Sequence, residues 1–263
     1  MKFADFFLSD RQGSKPPSLA TTALNFLLAV ILLTGIFCLA FSQIGYQWNW
    51  AATYKYHALF IQGWIATIFI SLAALVVSGL VGLLAAFARR SRVTLVRALA
   101  AIYVELIRGT PLLVQILVFF YVLAEALRVE NRWVVGVLTL SAFHGAYISE
   151  IIRSGIESVG RSQLESARAV GFTSAQIYRY IIFPQALRQM LPPLAGQFAS
   201  LVKDSSLLSI IAIAELTYSA KEVNAHTVSE FECYVPVAVG YLLLTFPISL
   251  WTRRLEARNR YET

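Results

Sequence analysis

Charge, cysteine and histidine are all scarce in this 263-residue chain. Only 14% of its residues are charged, against 57% hydrophobic, which sets aside an ordinary soluble domain. Two cysteines, Cys38 in an apolar run and Cys233 near the end of a polar loop, make no disulfide framework. His57, His144 and His226 are scattered without metal-ligand spacing, so no metal site is expected. None of the five lysines (Lys2, Lys15, Lys55, Lys203, Lys221) is followed by Ser or Thr, which excludes the phosphate loop Gly-x-x-x-x-Gly-Lys-Ser/Thr. The chain thus lacks that device for holding ATP, and no nucleophile–base arrangement indicates catalysis. No internal repeat or low-complexity linker is found.

What is abundant is long apolar sequence. Runs extend over about Leu19–Phe41, Leu59–Ala86, Leu99–Leu127, Trp133–Ile152, Leu191–Leu216 and Val235–Trp251. Each is long enough to cross a bilayer, which takes about 20 residues as a helix. No alternating barrel pattern is present, so the backbone must be satisfied as helix. Small residues within the second run (Ala73, Ala74, Ser78, Gly79, Gly82) would let helices pack closely. The first run is too long for a cleaved signal segment and is expected to be retained. A loop with Tyr46, Trp48, Trp50, Tyr54 and Tyr56 comes after it, suited to the headgroup zone.

The net charge of +7 could point to nucleic acid, but its placement argues for a membrane. With the N-terminus inside, the cytoplasmic segments hold Lys2, Arg11, Lys15, Arg89, Arg90, Arg92 and Arg97. They also hold Arg153, Arg161, Arg168, Arg179, Arg188, Arg253, Arg254, Arg258 and Arg260. The outer loops hold only Lys55, Arg128, Arg132 and Lys221. This bias places both termini in the cytoplasm and explains the basic clusters without nucleic acid.

One polar stretch between the runs reads as a contact site. Ser162-x-x-Glu165 has capping-box spacing, and Gly171 offers a left-handed helix stop. Ser166, Ala167 and Ala169 between them are small enough to let a neighbour approach. Thr173-x-x-Gln176 repeats the capping spacing, and Pro184 can kink or break the next helical run. Taken alone, the stretch could also be an interfacial linker helix with no partner.

These residues resemble the Glu-Ala-Ala…Gly…Ile-x-Leu-Pro signature of ABC importer permeases. Here it stands as Glu165-Ser166-Ala167, Gly171 and Ile181-Ile182-Phe183-Pro184, with Ser166 for Ala and Phe183 for Leu. Glu105-Leu-Ile-Arg-Gly-Thr-Pro-Leu-Leu-Val-Gln115 and Gly145-Ala-Tyr-Ile-Ser-Glu-Ile-Ile-Arg153 are similar to motifs of the subgroup importing polar amino acids. Three motifs in order extend the resemblance over roughly residues 59–251.

The resemblance implies an all-α polytopic membrane protein with a type I ABC importer permease fold. A five-helix core would carry one extra N-terminal transmembrane helix, giving six spans. The divisions are 1–57 for the cytoplasmic tail, extra helix and outer loop, 58–252 for the permease core, and 253–263 for a cytoplasmic tail. The coupling helix is placed at about 160–176, with Ser162, Glu165, Ser166, Ala167 and Gly171 meeting the ATPase. Partners implied are two copies of an ABC ATPase, a second permease chain (identical or homologous), an extracytoplasmic solute-binding protein and the lipid bilayer. ATP and Mg would sit in the partner ATPase, with no cofactor in this chain. The expected place is the cytoplasmic (inner) membrane, multi-pass.

Two further sets of charges lie inside the runs. Arg108 and Glu150 approach the same side of the membrane, as a structural ion pair or a gate. Lys203 and Asp204 fall near the middle of the run Leu191–Leu216, where charge must face the bundle interior or water. Asp204 or Ser205 could cap a half-helix, whose positive end suits a carboxylate. Lys203, Asp204, Ser206 and Gln115 are the candidate substrate path; an internal charge network is the alternative. As a whole the chain reads as a translocation subunit, not an enzyme, moving a polar amino acid by alternating access. The competing reading is an ion-coupled secondary transporter using Lys203, Asp204 and Glu105 as a relay, which would not need the Ser162–Gly171 helix. A membrane-embedded enzyme would need clustered catalytic groups, which are not found.

The charge asymmetry predicts Trp48 and Glu222 outside. Single cysteines at these positions, with Cys38 and Cys233 removed, should label in intact cells. Labelling at position 222 only after permeabilisation reverses the orientation.

Overall fold

A computed structural model describes residues 19–43 and 45–259. Lys2, Arg11, Lys15 and Arg260, assigned to the cytoplasm by the charge bias, lie outside the described residues. The chain divides into two units, Met1–Trp48 and Asn49–Thr263. In the first, α1 (Leu19–Ser42) is a 24-residue helix without a charged residue, long enough to cross a bilayer.

The second unit is helical, with no strand among the described residues. After a single turn, α2 (Trp50–Tyr54), comes the 32-residue α3 (His57–Ala88). Its buried residues Thr67, Ser71, Ala74, Ser78 and Gly82 recur every three or four positions and so form one face. That face meets α6 (Arg132–Glu157) in the most extensive helix pair of the molecule. Small side chains let the backbones close in: a Cβ on Gly82 would stand 2.5 Å from Ile148 Cγ2 and 3.0 Å from the Gly145 carbonyl oxygen. Of the small residues expected to serve this purpose, Ala74, Ser78 and Gly82 lie in the seam. Ala73 is exposed, and Gly79 has open space where a side chain would go.

The third apolar run is broken. α4 (Thr94–Arg108) and the helical segment Leu112–Ala124 meet at 112° across Gly109-Thr110-Pro111. Pro111 has no N–H to give the Ile107 carbonyl, its normal partner four residues back. The Gln115 side chain takes over: its Nε2 lies 2.7 Å from Ile107 O and 2.8 Å from Thr110 Oγ1. α5 (Leu112–Val118) then continues into a π-helical turn. At the start of α6, Asn131 Oδ1 accepts from the amides of Trp133 and Val134, an N-cap.

Beyond α6 come two short helices, α7 (Arg161–Ala169) and α8 (Ser174–Ile177), and a π-helical turn over Tyr178–Ile182. Pro184 falls where the π-helical turn passes into α9 (Phe183–Asp204), so the helical run changes type beside it rather than breaking. The 22 residues of α9 would span about 33 Å. It gives way to a 3₁₀ turn over Ser205–Ile211, then to α10 (Leu216–Thr227) and the long α11 (Glu230–Asn259). The main core gathers Ile70 and Ala74 of α3, Leu112 and Ile116 of α5, Leu140 of α6, Leu201 of α9, and Leu208 and Ile211 of the 3₁₀ turn.

Buried carboxylates fix the chain around α10. Glu215, fully buried, accepts from Thr217 N and Tyr218 N at 2.8 Å each and from the Tyr241 hydroxyl at 2.6 Å. It thereby caps α10 and ties it to α11. Glu232, equally buried, accepts from the Asn49 amide.

Six spans were expected from six apolar runs. Among the described residues four helices are long and apolar enough to cross a membrane, α1, α3, α6 and α11, or five with the bent pair counted as one span. The difference lies in the run Leu191–Leu216. It is not one helix but the polar end of α9 plus a 3₁₀ turn, and α9 itself carries Gln185, Arg188, Gln189, Gln197, Lys203 and Asp204.

The Gly82 seam makes a stability prediction. Gly82→Ala should cost about 1–3 kcal/mol by overpacking, read as a fall in melting temperature of the purified complex. Gly79→Ala should leave it unchanged.

Candidate functional site

The polar stretch after α6 forms a compact, exposed connection. α7 starts at Arg161 with Gly160 as its N-cap, and no side chain caps it. The box expected at Ser162-x-x-Glu165 is therefore not formed. Ser162 is already inside the helix, whereas a capping side chain must come from an extended residue just before it. The second box is made: Gln176 N donates to Thr173 Oγ1 at 3.3 Å, and Thr173 N to Gln176 Oε1 at 2.8 Å. Gly171 ends α7 in the left-handed region, at φ +86°. Gly171 N reaches Arg168 O and Phe172 N reaches Ala167 O, both at 3.0 Å, the paired bonds of a Schellman stop.

This geometry turns Ser162, Glu165 and Ser166 outward and buries Ala167. Ser162, Ser166 and Ala167 line a shallow cavity of about 500 Å³ with Phe172 and Tyr180. Exposed apolar side chains rim it: Val170 is 76% accessible and Tyr180 62%.

A second cluster joins three helices around Glu150. Its Oε2 accepts from Arg89 Nη1, at the end of α3, at 2.8 Å, and from Arg153 Nε at 3.1 Å. Its Oε1 accepts from Arg153 Nη2, and Arg153 also holds Glu157. Arg108, the partner expected from the sequence, stands farther off at 3.8 Å, its guanidinium 5.4 Å from the Tyr147 ring centroid. In the sequence Arg89 stands out only as a cytoplasmic charge, and Arg153 also as the end of the Gly145–Arg153 motif.

The third set lies at the end of α9. Lys203 is exposed and makes no ion pair among the described residues. Asp204 faces inward: its Oδ2 is 3.4 Å from Nε2 of His144, a fully buried ring on α6. The other ring nitrogen, Nδ1, is 2.6 Å from Gln197 Nε2. A donor from Gln197 at Nδ1 leaves the ring proton on Nε2, toward Asp204. The expected half-helix cap is absent: neither Asp204 nor Ser205 caps a helix start, because the chain continues directly into the 3₁₀ turn. Gln115, placed on the substrate path, has its amide nitrogen engaged at the bend in α4–α5. Its buried Oε1 has no donor among the described residues.

His144 and Gln197 escape a reading of the sequence alone. A signal is present in α9, where Gln197, Ser200 and Asp204 recur at helical spacing among apolar residues.

Apolar helices long enough to span a bilayer, with an exposed polar connection between α6 and α9, define a helical membrane protein. The chain belongs to the family of binding-protein-dependent transport system inner membrane components, whose model matches residues 78–261. It is 37% identical over 217 residues to the glutamine transport system permease protein of Escherichia coli (strain K12), covering 81% of this chain and 99% of that one. It is 39% identical over 202 residues to a probable glutamine ABC transporter permease protein of Bacillus subtilis (strain 168), covering 76% and 93%. The crystal structure of an amino acid ABC transporter with histidines superposes with a TM-score of 0.75 at 35% identity, over 81% of this chain and all of that chain. An inward-facing methionine ABC transporter shares the fold, with a TM-score of 0.63 at 17% identity, over 78% and 98%. The chain is thus the permease subunit of an ABC importer, and ATP hydrolysis in this family belongs to a separate subunit. A carrier driven by an ion gradient is set aside.

Two substitutions separate the fold of this connection from its use. Gly171→Val forces a β-branched residue to φ +86° and should distort the α7 exit, at about 1–3 kcal/mol. Glu165→Lys lies on an exposed face inside α7 and should leave the fold intact. Both should insert in the membrane yet lose ATPase recovery in a pull-down. Full recovery with Glu165→Lys removes that face from the contact.

Proposed function

We propose that this chain moves a polar amino acid across the cytoplasmic membrane, with both termini in the cytoplasm, as one of two permease chains in a complex. The second chain is identical or homologous. Two ATPase subunits, which hold ATP and Mg, dock on α7 through Ser162, Glu165, Ser166 and Ala167, with Gly171 fixing the exit. An extracytoplasmic binding protein delivers the solute. The observation that carries this reading is the exposed α7–α8 connection, whose Schellman stop and capping box give it a fixed shape with an apolar rim. Relatives named for glutamine support a polar amino acid as the cargo.

Alternating access is then a shift between two arrangements of the helices. ATP binding biases it only by as much as the ATPase contact differs between the two. Lys203, Asp204 and Ser206 supply the mid-membrane polar contacts, since a free amino acid carries one carboxylate and one ammonium. Gln115 adds its unpartnered Oε1. Arg108 and Glu150 lie toward the cytoplasmic end of this path.

Lys203→Met should weaken solute affinity of the solubilised complex, measured without the binding protein, while its melting temperature stays within about 2 °C, as for a surface change. Unchanged affinity with a large fall in melting temperature assigns Lys203 to the scaffold instead.

A further inference from the structure

A polar cavity of about 600 Å³ opens between α6 and α9, with the end of α4 on one side. That volume is in the range of small-molecule sites. Its charged lining residues are Arg108, Glu150 and Arg153, two cations to one anion. Glu150 is already saturated by Arg89 and Arg153, on both oxygens. Arg153 has Glu157 as a second partner. Arg108 stands 3.8 Å from the carboxylate, beyond hydrogen-bond reach. It is therefore the surplus cation of the cavity, and its planar fork suits a carboxylate. Opposite it, Gln189, Gln197 and Ser200 of α9 offer neutral donors and acceptors. Gln197 is also the contact of His144, which reaches Asp204. A polar file thus runs from the end of α9 into this cavity.

We propose that Arg108 receives the carboxylate of the amino acid as it leaves through this vestibule. The assignment rests on the reading of the chain as an amino acid permease. It also narrows the cargo. No carboxylate in the lining is left without a cationic partner, so the solute's ammonium meets only neutral acceptors. A second positive charge on the solute is opposed by Arg108 and Arg153. The vestibule selects zwitterions with neutral, amide-like or acidic side chains over cationic ones.

The test uses the assembled transporter in inside-out vesicles, with Cys38→Ala, Cys233→Ala and Ser200→Cys. The introduced thiol is modified by an anionic ethylsulfonate methanethiosulfonate or by its cationic ethylammonium counterpart, each rate normalised to a free thiol. With Arg108 present, the anionic reagent should be favoured. Arg108→Gln should lower that preference about 10-fold, the low end of electrostatic focusing in a charged cleft, and Arg108→Lys should restore most of it. L-glutamine should slow the modification, and L-glutaminamide, which lacks the carboxylate, should not. An unaltered preference in Arg108→Gln overturns the proposal, as does equal protection by glutamine and its amide. The protection experiment needs no change at Arg108, so it decides the matter even where Arg108→Gln does not assemble. If wild-type transporter neither carries glutamine nor is protected by it, the amino acid reading fails. If it carries glutamine without protection at position 200, the vestibule site alone fails.

Discussion

A backbone amide or carbonyl in hydrocarbon has no water to turn to, and the buried departures from helix in this fold are governed by that fact. At the bend between α4 and α5, the Gln115 amide replaces the N–H that Pro111 lacks. At the entry to α10, Glu215 takes two backbone amides and Thr67 Oγ1 takes the Leu216 amide. Each break is thereby closed by a side chain rather than left to solvent. The same rule explains why these polar residues are buried in a chain so poor in charge. An unclosed break in lipid would cost several kcal/mol per group.

Charge obeys a parallel rule. Glu150 would be costly alone in the α6 segment, and it is held by Arg89 and Arg153 through three hydrogen bonds. That knot ties the end of α3 to α6 at one end of the α3–α6 seam. The Gly82–Ile148 contact lies within the seam, where small residues allow the helices to meet. Together they hold α3 and α6 as a scaffold pair. Asp204 and Lys203 differ in kind: Asp204 has only a 3.4 Å contact with His144, and Lys203 has no ion pair among the described residues. Partial compensation leaves both groups able to take a further partner, which is what the proposed solute path needs.

Much of the architecture was readable from the runs, because a helix in lipid announces itself by length and apolarity. The Gly171 stop and the Thr173 box were readable from local chemistry, since each depends on residues within one turn. Ser162 misled for the same local reason: its spacing to Glu165 suits a cap, but the helix starts two residues earlier than that cap requires, at Arg161, with Gly160 before it. The run Leu191–Leu216 misled because apolarity averaged over a window hides a change from α to 3₁₀ at Ser205. The His144–Asp204 contact joins residues sixty positions apart, and no spacing rule reaches across two helices. The Glu150 knot was half visible: Arg108 is a neighbour, but Arg89 and Arg153 won the carboxylate because they approach it more closely.

The proposed docking on the α7 connection carries an energetic demand that bears on which of its residues matter. Driving a two-state bundle from one arrangement to the other, from 1:99 to 99:1, takes about 5.5 kcal/mol of differential binding. An exposed ion pair at Glu165 contributes roughly 0–1 kcal/mol, too little by itself. The apolar rim is better suited, since full burial of a side chain such as Val170 or Phe172 is worth about 1.5–3 kcal/mol. Both are exposed in the isolated chain. If the ATPase docks on α7 as proposed, Val170, Phe172 and Tyr180 around the small-residue floor of Ser166 and Ala167 supply most of that contact energy, and the charge of Glu165 sets register. Such a contact can transmit motion only if α7 cannot swivel freely. The Gly171 stop, the Thr173 box and the Gln163–Gln185 bond to α9 supply that stiffness.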